Sequence, residues 1–332
     1  MSPGFRNLHP GVVSHGVDKM NQNTPTTTDI RRFGYYIPKP TGTMDIVVHG
    51  RVASEKNLTE FHEVISVIFK LQPIIFSFNV VERNYQELTD SIQELRSQLD
   101  NSLATNAEPI SLIMDRNILI IQKISNFLSS ATAFLAQTET QLRNVYKKGS
   151  PELNAWNEKR HKIHADNFSY FFLYELRNFN QHCSLPFSSL NIAGERVSEN
   201  ASMLFNINTM ILRDGLFNIG FTWGEKNTKR ILEQAAPEFE LLPLIPEYFH
   251  FLSQLCLDAV QLQSVQLAGC ASYFDVLHRT LKIPAGAVPV IYIGESTSKE
   301  TPPSRREIIP MMQFKYLLRE YSKLINMCET AL

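Results

Sequence analysis

The apolar positions of this chain change period several times, and the changes predict its elements. Met44-Asp45-Ile46-Val47-Val48-His49-Gly50 is short and β-branched and reads as a strand. Phe61, Val64, Ile65, Ile68 and Phe69 then recur at helical spacing within 59–71. From Glu82 onward one stripe, Tyr85, Leu88, Ile92, Leu95, Leu99 and Leu103, repeats every three, four or seven residues on an otherwise polar helix. Residues 104–108 break the pattern, and Pro109 suits the first turn of a second long helix reaching Lys148. Gly149 ends that helix. Ser150-Pro151-Glu152 supplies an N-cap with proline next, opening a third helical region that runs to Cys183 with a break at Asp166-Asn167.

After Pro186 the texture is mixed. Phe205, Ile207, Thr209 and Ile211 alternate as in a strand, and helical character returns over 227–235 and 241–281. Val288 to Ile293 reads as a strand that Pro289 pushes towards an edge, and a last helix is expected over 305–327, after a polar loop at 301–304. Residues 1–43, rich in Pro, Gly, Thr and Asn and including Thr24-Pro25-Thr26-Thr27-Thr28, read as a mostly irregular lead-in. The expected fold is mainly α. A strand–helix segment over 44–81 leads into a long antiparallel helical bundle over 82–190, and a helical segment with a few short peripheral strands covers 191–332.

Composition sharpens this only a little. A hydrophobic fraction of 43% and a charged fraction of 20% over 332 residues describe a globular protein with ample core. The net charge of −1 argues against a surface coated in positive charge for non-specific nucleic-acid binding. Cys183, Cys256, Cys270 and Cys328 form no C-x-x-C pair and read as reduced thiols. No uninterrupted run reaches the length of a membrane helix, and Met1 to Gly16 lacks the apolar core of a secretory signal, so a cytoplasmic location is expected, with no membrane partner.

One cluster carries chemistry. Arg177-Asn178-Phe179-Asn180-Gln181-His182 joins a fixed cation, an amide and a group that titrates near neutrality, and Leu185-Pro186 stops the segment. Upstream, Lys159-Arg160-His161-Lys162-Ile163-His164 is a basic run. Its bland reading is a solvated helix face; its functional one has Arg160, His161, Lys162 and His164 as a rim for RNA phosphates. His161 and His164 lack a third ligand at metal spacing, and no metal or cofactor is expected. The aromatic block Tyr170, Phe171, Phe172, Tyr174 and Phe179, like Trp156 and Trp223, reads as packing. Gly294-Glu295-Ser296 lacks the surroundings of a serine hydrolase nucleophile.

Arg177-Asn178 followed by His182, late in a bundle helix, resembles the R-x4-6-H motif of the HEPN superfamily, and the phrase from Tyr174 to His182 with Leu185-Pro186 is similar to segments of uncharacterised bacterial helical proteins. The resemblance covers about residues 82–190. It implies a metal-independent endoribonuclease, often a homodimer with facing motifs, and a role in toxin or defence systems. The chemistry is arguable from the residues: His182 as general acid/base, Arg177 as stabiliser of charge on the phosphate, Asn178 as the orienting group. The competing expectation is a non-catalytic helical interaction or scaffold protein in which these residues form a dimer contact. A further protein partner is expected to use the C-terminal segment.

Overall fold

The computed structural model describes residues 30–105, 109–196, 203–218, 220–224, 226–294 and 305–329. Thr24–Thr28, the 1–16 stretch, residues 106–108 of the break expected at 104–108, the 301–304 loop and Glu295-Ser296 lie outside them, whereas Ala104 and Thr105 are still helical. The fold is mainly α, with a few short antiparallel strands. Two strands, β1 (Arg31–Pro38) and β2 (Met44–Val52), precede four helices, α1 (Glu55–Thr105), α2 (Pro109–Tyr146), α3 (Pro151–Asp166) and α4 (Phe168–His182). Then follow β3 (Ser189–Arg196), β4 (Met203–Leu212), α5 (Arg213–Phe217), α6 (Lys226–Gln234) and β5 (Glu238–Glu240). The chain closes with α7 (Leu244–Gln261), α8 (Ser264–Leu281), β6 (Val288–Ile293), β7 (Arg305–Ile308) and α9 (Met311–Glu329).

The two helical stretches expected at 59–71 and from Glu82 are one helix of 51 residues that runs through Pro73. A proline inside a helix lacks an N–H and crowds the carbonyls of the preceding turn. Here the amide of Gln141 on α2 donates to the Lys70 carbonyl at 3.1 Å, so neighbouring structure supplies a donor beside the proline. α1 and α2 form the longest hairpin of the bundle, tied by Lys123–Glu87 at 2.6 Å and Arg116–Glu94 at 3.0 Å. α7 lies against α1, α2, α3, α4 and α9 and is the centre of the packing. Two long-range bonds fix it: Tyr146 donates to the Leu262 carbonyl at 2.8 Å, and the Trp156 indole to the Leu255 carbonyl at 2.9 Å.

One sheet has the order β2-β1-β6-β7 and the other β3-β4-β5, all antiparallel. β1 falls inside the stretch expected to be irregular. It is extended because it pairs on both sides, with β2 and with the distant β6. Gly34 stands at the register shift in β1, where any Cβ would lie 2.2 Å from the Val47 carbonyl, so glycine is required there. β6 is interior rather than an edge strand. Pro289 is tolerated near its start, paired on the β1 side, before the ladder with β7 begins at Val290.

The last helix starts later than its periodicity suggests. Arg305 and Arg306 are on β7, and α9 begins at Met311, because Pro310 biases the residue before it to extended backbone and favours a helix start after it. Arg305 and Arg306, the first residues of the helix expected over 305–327, therefore place no positive charge at a helix N-terminus. The Arg306 guanidinium instead sits 4.6 Å over the Tyr36 ring.

α1 and α2 each contain a window long and apolar enough, by length and composition, to cross a membrane. Lys70, Gln72 and Pro73 interrupt the first window, so no continuous apolar run exists there. Core helices of globular proteins pass the same test, and both helices pack into the bundle.

Candidate functional site

α3 and α4 are separate helices because Asn167 is extended, at φ −122° and ψ 118°, and its amide donates to the Ile163 carbonyl at 2.9 Å. α4 then runs unbroken from Phe168 to His182. Its inner face carries Phe172, Leu173, Leu176 and Phe179, all buried. Phe172 and Phe179 both stack on Trp223, with centroids 5.8 and 5.1 Å apart, so the helix bearing the motif rests on an aromatic platform. Tyr170, Phe171 and Trp156 are buried as well.

The motif residues lie on the opposite, outer side. Arg177 and Asn178 are half-buried and His182 is exposed. The Arg177 Nη1 donates to Asn178 Oδ1 at 3.0 Å, while the Asn178 amide makes a long contact of 3.5 Å to Glu175 Oε2. Asn178 thus holds the guanidinium rather than the imidazole. Burial raises the Glu175 carboxyl above the usual range, and the Asn178 amide partly opposes the shift. The Nε of Arg177 is buried and has no acceptor. His182 lines an open hollow with Asn180, Gln181, Cys183, Ser184 and Leu185, and Arg177 is not among the lining residues. Because α4 is continuous, five residues separate Arg177 and His182 by about 140° around the axis. Within one chain they face different directions.

The basic run on α3 is largely absorbed by the fold. Lys159 pairs with Asp258 on α7 at 2.5 Å, and Arg160 pairs with Glu139 on α2 at 3.1 Å while lying 5.3 Å over the Trp156 ring. His164 packs edge-on against Tyr170, Phe171 and Tyr174. His161 and Lys162 are exposed. No group of three or more His, Cys, Asp or Glu at metal-binding distance occurs among the described residues, and the four cysteines are free thiols.

Glu175 and Asn180 belong to the site although the motif does not point to them. Asn180 donates to Ser125 Oγ on α2 at 2.8 Å and so anchors the end of α4 to the bundle. The signal for Glu175 is its place one helical turn before Asn178.

The fold defines a helical-bundle protein in which Arg177, Asn178 and His182 lie towards the C-terminal end of one bundle helix, with Arg177 and His182 facing different ways. No family model, curated protein or solved structure was found to match the chain.

Proposed function

We propose that the chain is a metal-independent endoribonuclease of the HEPN kind, acting in the cytoplasm as a homodimer. The observation that carries the reading is Arg177. Its guanidinium is half-buried, oriented by Asn178, without a carboxylate partner among the described residues, and with an Nε lacking any acceptor. A cation held in that state suits a phosphate oxygen. His182, exposed at the end of the same helix, is the group that moves the proton.

In the proposed reaction the imidazole takes the proton of the ribose 2′-hydroxyl, whose oxygen attacks the adjacent phosphorus. The imidazolium returns that proton to the 5′-oxygen of the next nucleotide as it leaves, and a 2′,3′-cyclic phosphate remains. Arg177 stabilises the charge that builds on the phosphate oxygens. DNA has no 2′-hydroxyl and is not a substrate. The divergence of Arg177 and His182 along one α4 calls for facing helices from two protomers, each supplying one member of the pair. A role in toxin or defence systems and an RNA partner follow from the resemblance.

The test is total RNA incubated in EDTA with wild type, Arg177→Ala, His182→Ala, and the two variants mixed and refolded together. Cleavage by wild type, loss in each variant, and partial recovery in the mixture support the reading. No cleavage by a well-folded wild type, or cleavage untouched by His182→Ala, removes it.

The second reading is a non-catalytic interaction or scaffold protein. It is favoured by the different directions of Arg177 and His182, which leave one chain without a shared phosphate pocket. Under it, Arg177, Asn178 and His182 form a polar dimer contact instead of a catalytic site, and RNA is left intact.

A further inference from the structure

α1 carries more apolar residues between Phe61 and Val81 than its core side accepts. Phe61, Ile68, Leu71, Ile74, Phe78 and Val81 are buried. On the opposite side Phe69 is 58% exposed, Phe76 45% and Val80 55%, with Pro73 exposed between them. Their spacing is four, three and four, which keeps all of them on one stripe, since seven residues complete two turns to within about 20°.

α9 widens the stripe. Met312 is 70% exposed, and Tyr316 meets the Phe76 ring edge-on at 5.7 Å. Gln72, Phe76, Met312 and Tyr316 help line an apolar hollow of about 270 Å³. The exposed parts of Phe69, Phe76, Val80 and Met312 add up to roughly 400 Å² of apolar surface, about half of what one partner buries in a standard interface.

The spacing also says what covers it. Four, three, four reads the same from either end. An antiparallel copy, related by a two-fold axis passing beside α1 between Ile74 and Ile75, sets Phe69 against the partner's Val80 and Pro73 against the partner's Phe76, and the reverse. Every apolar position then meets an apolar one. The flank facing away from α9 presents Ser66, Lys70, Ser77 and Asn84. The same axis carries Lys70 towards the level of Asn79, so the two Lys70 ammoniums stand farther apart than the ~8 Å screening length at physiological salt. On the α9 flank Arg319 is paired with Glu320 at 2.7 Å and Lys323 with Glu82 at 2.5 Å, and the exposed Arg83 beyond Val80 falls at the level of the partner's Ser66, towards the end of the stripe.

We propose that this α1–α9 face is the docking surface for the same face of a second copy of the chain. It contains none of Arg177, Asn178 or His182 and is a different two-fold contact from the facing-α4 dimer of the ribonuclease reading, so a dimer that survives the charge variants below is that other one. The experiment is sedimentation equilibrium of the full chain over a concentration series. It compares wild type with the double variant Phe69→Glu/Phe76→Glu and, as a milder change at an exposed position, Met312→Lys. Circular dichroism and thermal midpoint serve as controls of folding. Expected are a wild-type dimer, a folded double variant with dimer affinity down by about 100-fold or more, and an intermediate loss for Met312→Lys. In a mixture of Phe69→Cys and Val80→Cys chains, oxidation links one to the other. A wild type that stays monomeric overturns the proposal. So does a dimer that both charge variants leave intact, since it then uses another face. Co-sedimentation of monomeric wild type with phosphatidylcholine–phosphatidylglycerol vesicles, lost in the double variant, would reassign the face to a lipid surface and overturn it equally.

Discussion

Arg160 on α3 and Arg177 on α4 are both half-buried arginines near the C-terminal ends of adjacent helices, yet their surroundings differ. Arg160 has a carboxylate at 3.1 Å and an indole face beneath it. Arg177 has a neutral amide, an unpartnered Nε and no carboxylate among the described residues. The difference teaches that a dense run of charge in a sequence is not a free surface. Lys159 and Arg160 bind α3 to α7 and α2, and His164 sits among aromatic rings, so most of the basic run holds helices together. The sparser Arg177 is the one left with bonding capacity.

The largest expected effect breaks the comparison in activity. Under the proposed ribonuclease reading, Arg177→Ala or His182→Ala lowers RNA cleavage by about 10²-fold or more, whereas Arg160→Ala leaves it within a few-fold, as read from initial rates on a labelled RNA. Equal losses from Arg160→Ala and Arg177→Ala would mean that the two cations share one task.

The platform under α4 comes next. Phe172→Ala removes a ring that stacks on Trp223 and meets Phe239 at 5.2 Å, and costs about 3–5 kcal/mol in urea unfolding. A cost below about 1 kcal/mol would show that α4 does not depend on that stack.

The two arginines are then expected to differ in stability in the direction opposite to activity. Arg160→Ala costs on the order of 1 kcal/mol, from a partly shielded ion pair and a cation–π contact, and Arg177→Ala changes stability by less than about 0.5 kcal/mol. Chemical denaturation of both variants decides it.

Tyr170 sharpens the picture around Arg160. Its hydroxyl is buried without a hydrogen-bond partner, and burial pushes its pKa far above the ordinary value, with Arg160 pulling the other way. Tyr170→Phe is therefore neutral or stabilising by up to about 1 kcal/mol, because no bond is lost. A clear loss of stability would reveal a partner for that hydroxyl.

The smallest effect concerns Glu175. Its carboxyl is raised by burial, so the folded state binds the proton more tightly than the unfolded state does. Stability contributed by this group is then lost as pH rises from the ordinary carboxylate range through the raised value. Glu175→Gln should stabilise the protein at neutral pH and lose that advantage at acid pH, when Tm is followed against pH.

Much of the fold was legible where local chemistry decides. Ser150 caps α3 by accepting from the Leu153 N–H at 3.2 Å, Asn167 breaks the helix where its polar side chain can bond backbone, and β4 buries Ile207, Thr209 and Ile211 in the expected alternation. The motif's place at the end of a bundle helix was legible too. Three features were not. β1 is a strand through pairing with β6 from the far end of the chain, and β7 is a strand where the local pattern reads as helix. Pro73 marks a boundary in the sequence, and yet α1 passes through it with Gln141 donating nearby.

The sequence alone thus determined a mainly α protein, the capped start of α3 and the break before α4, and the presence of Arg177, Asn178 and His182 on one short segment, because caps, breaks and periodicity act over a few residues. Only the tertiary structure decided which cations are neutralised, which way Arg177 and His182 face, and which apolar stripe of α1 is left uncovered. Those outcomes depend on what packs against each helix, and the partners come from anywhere in the chain.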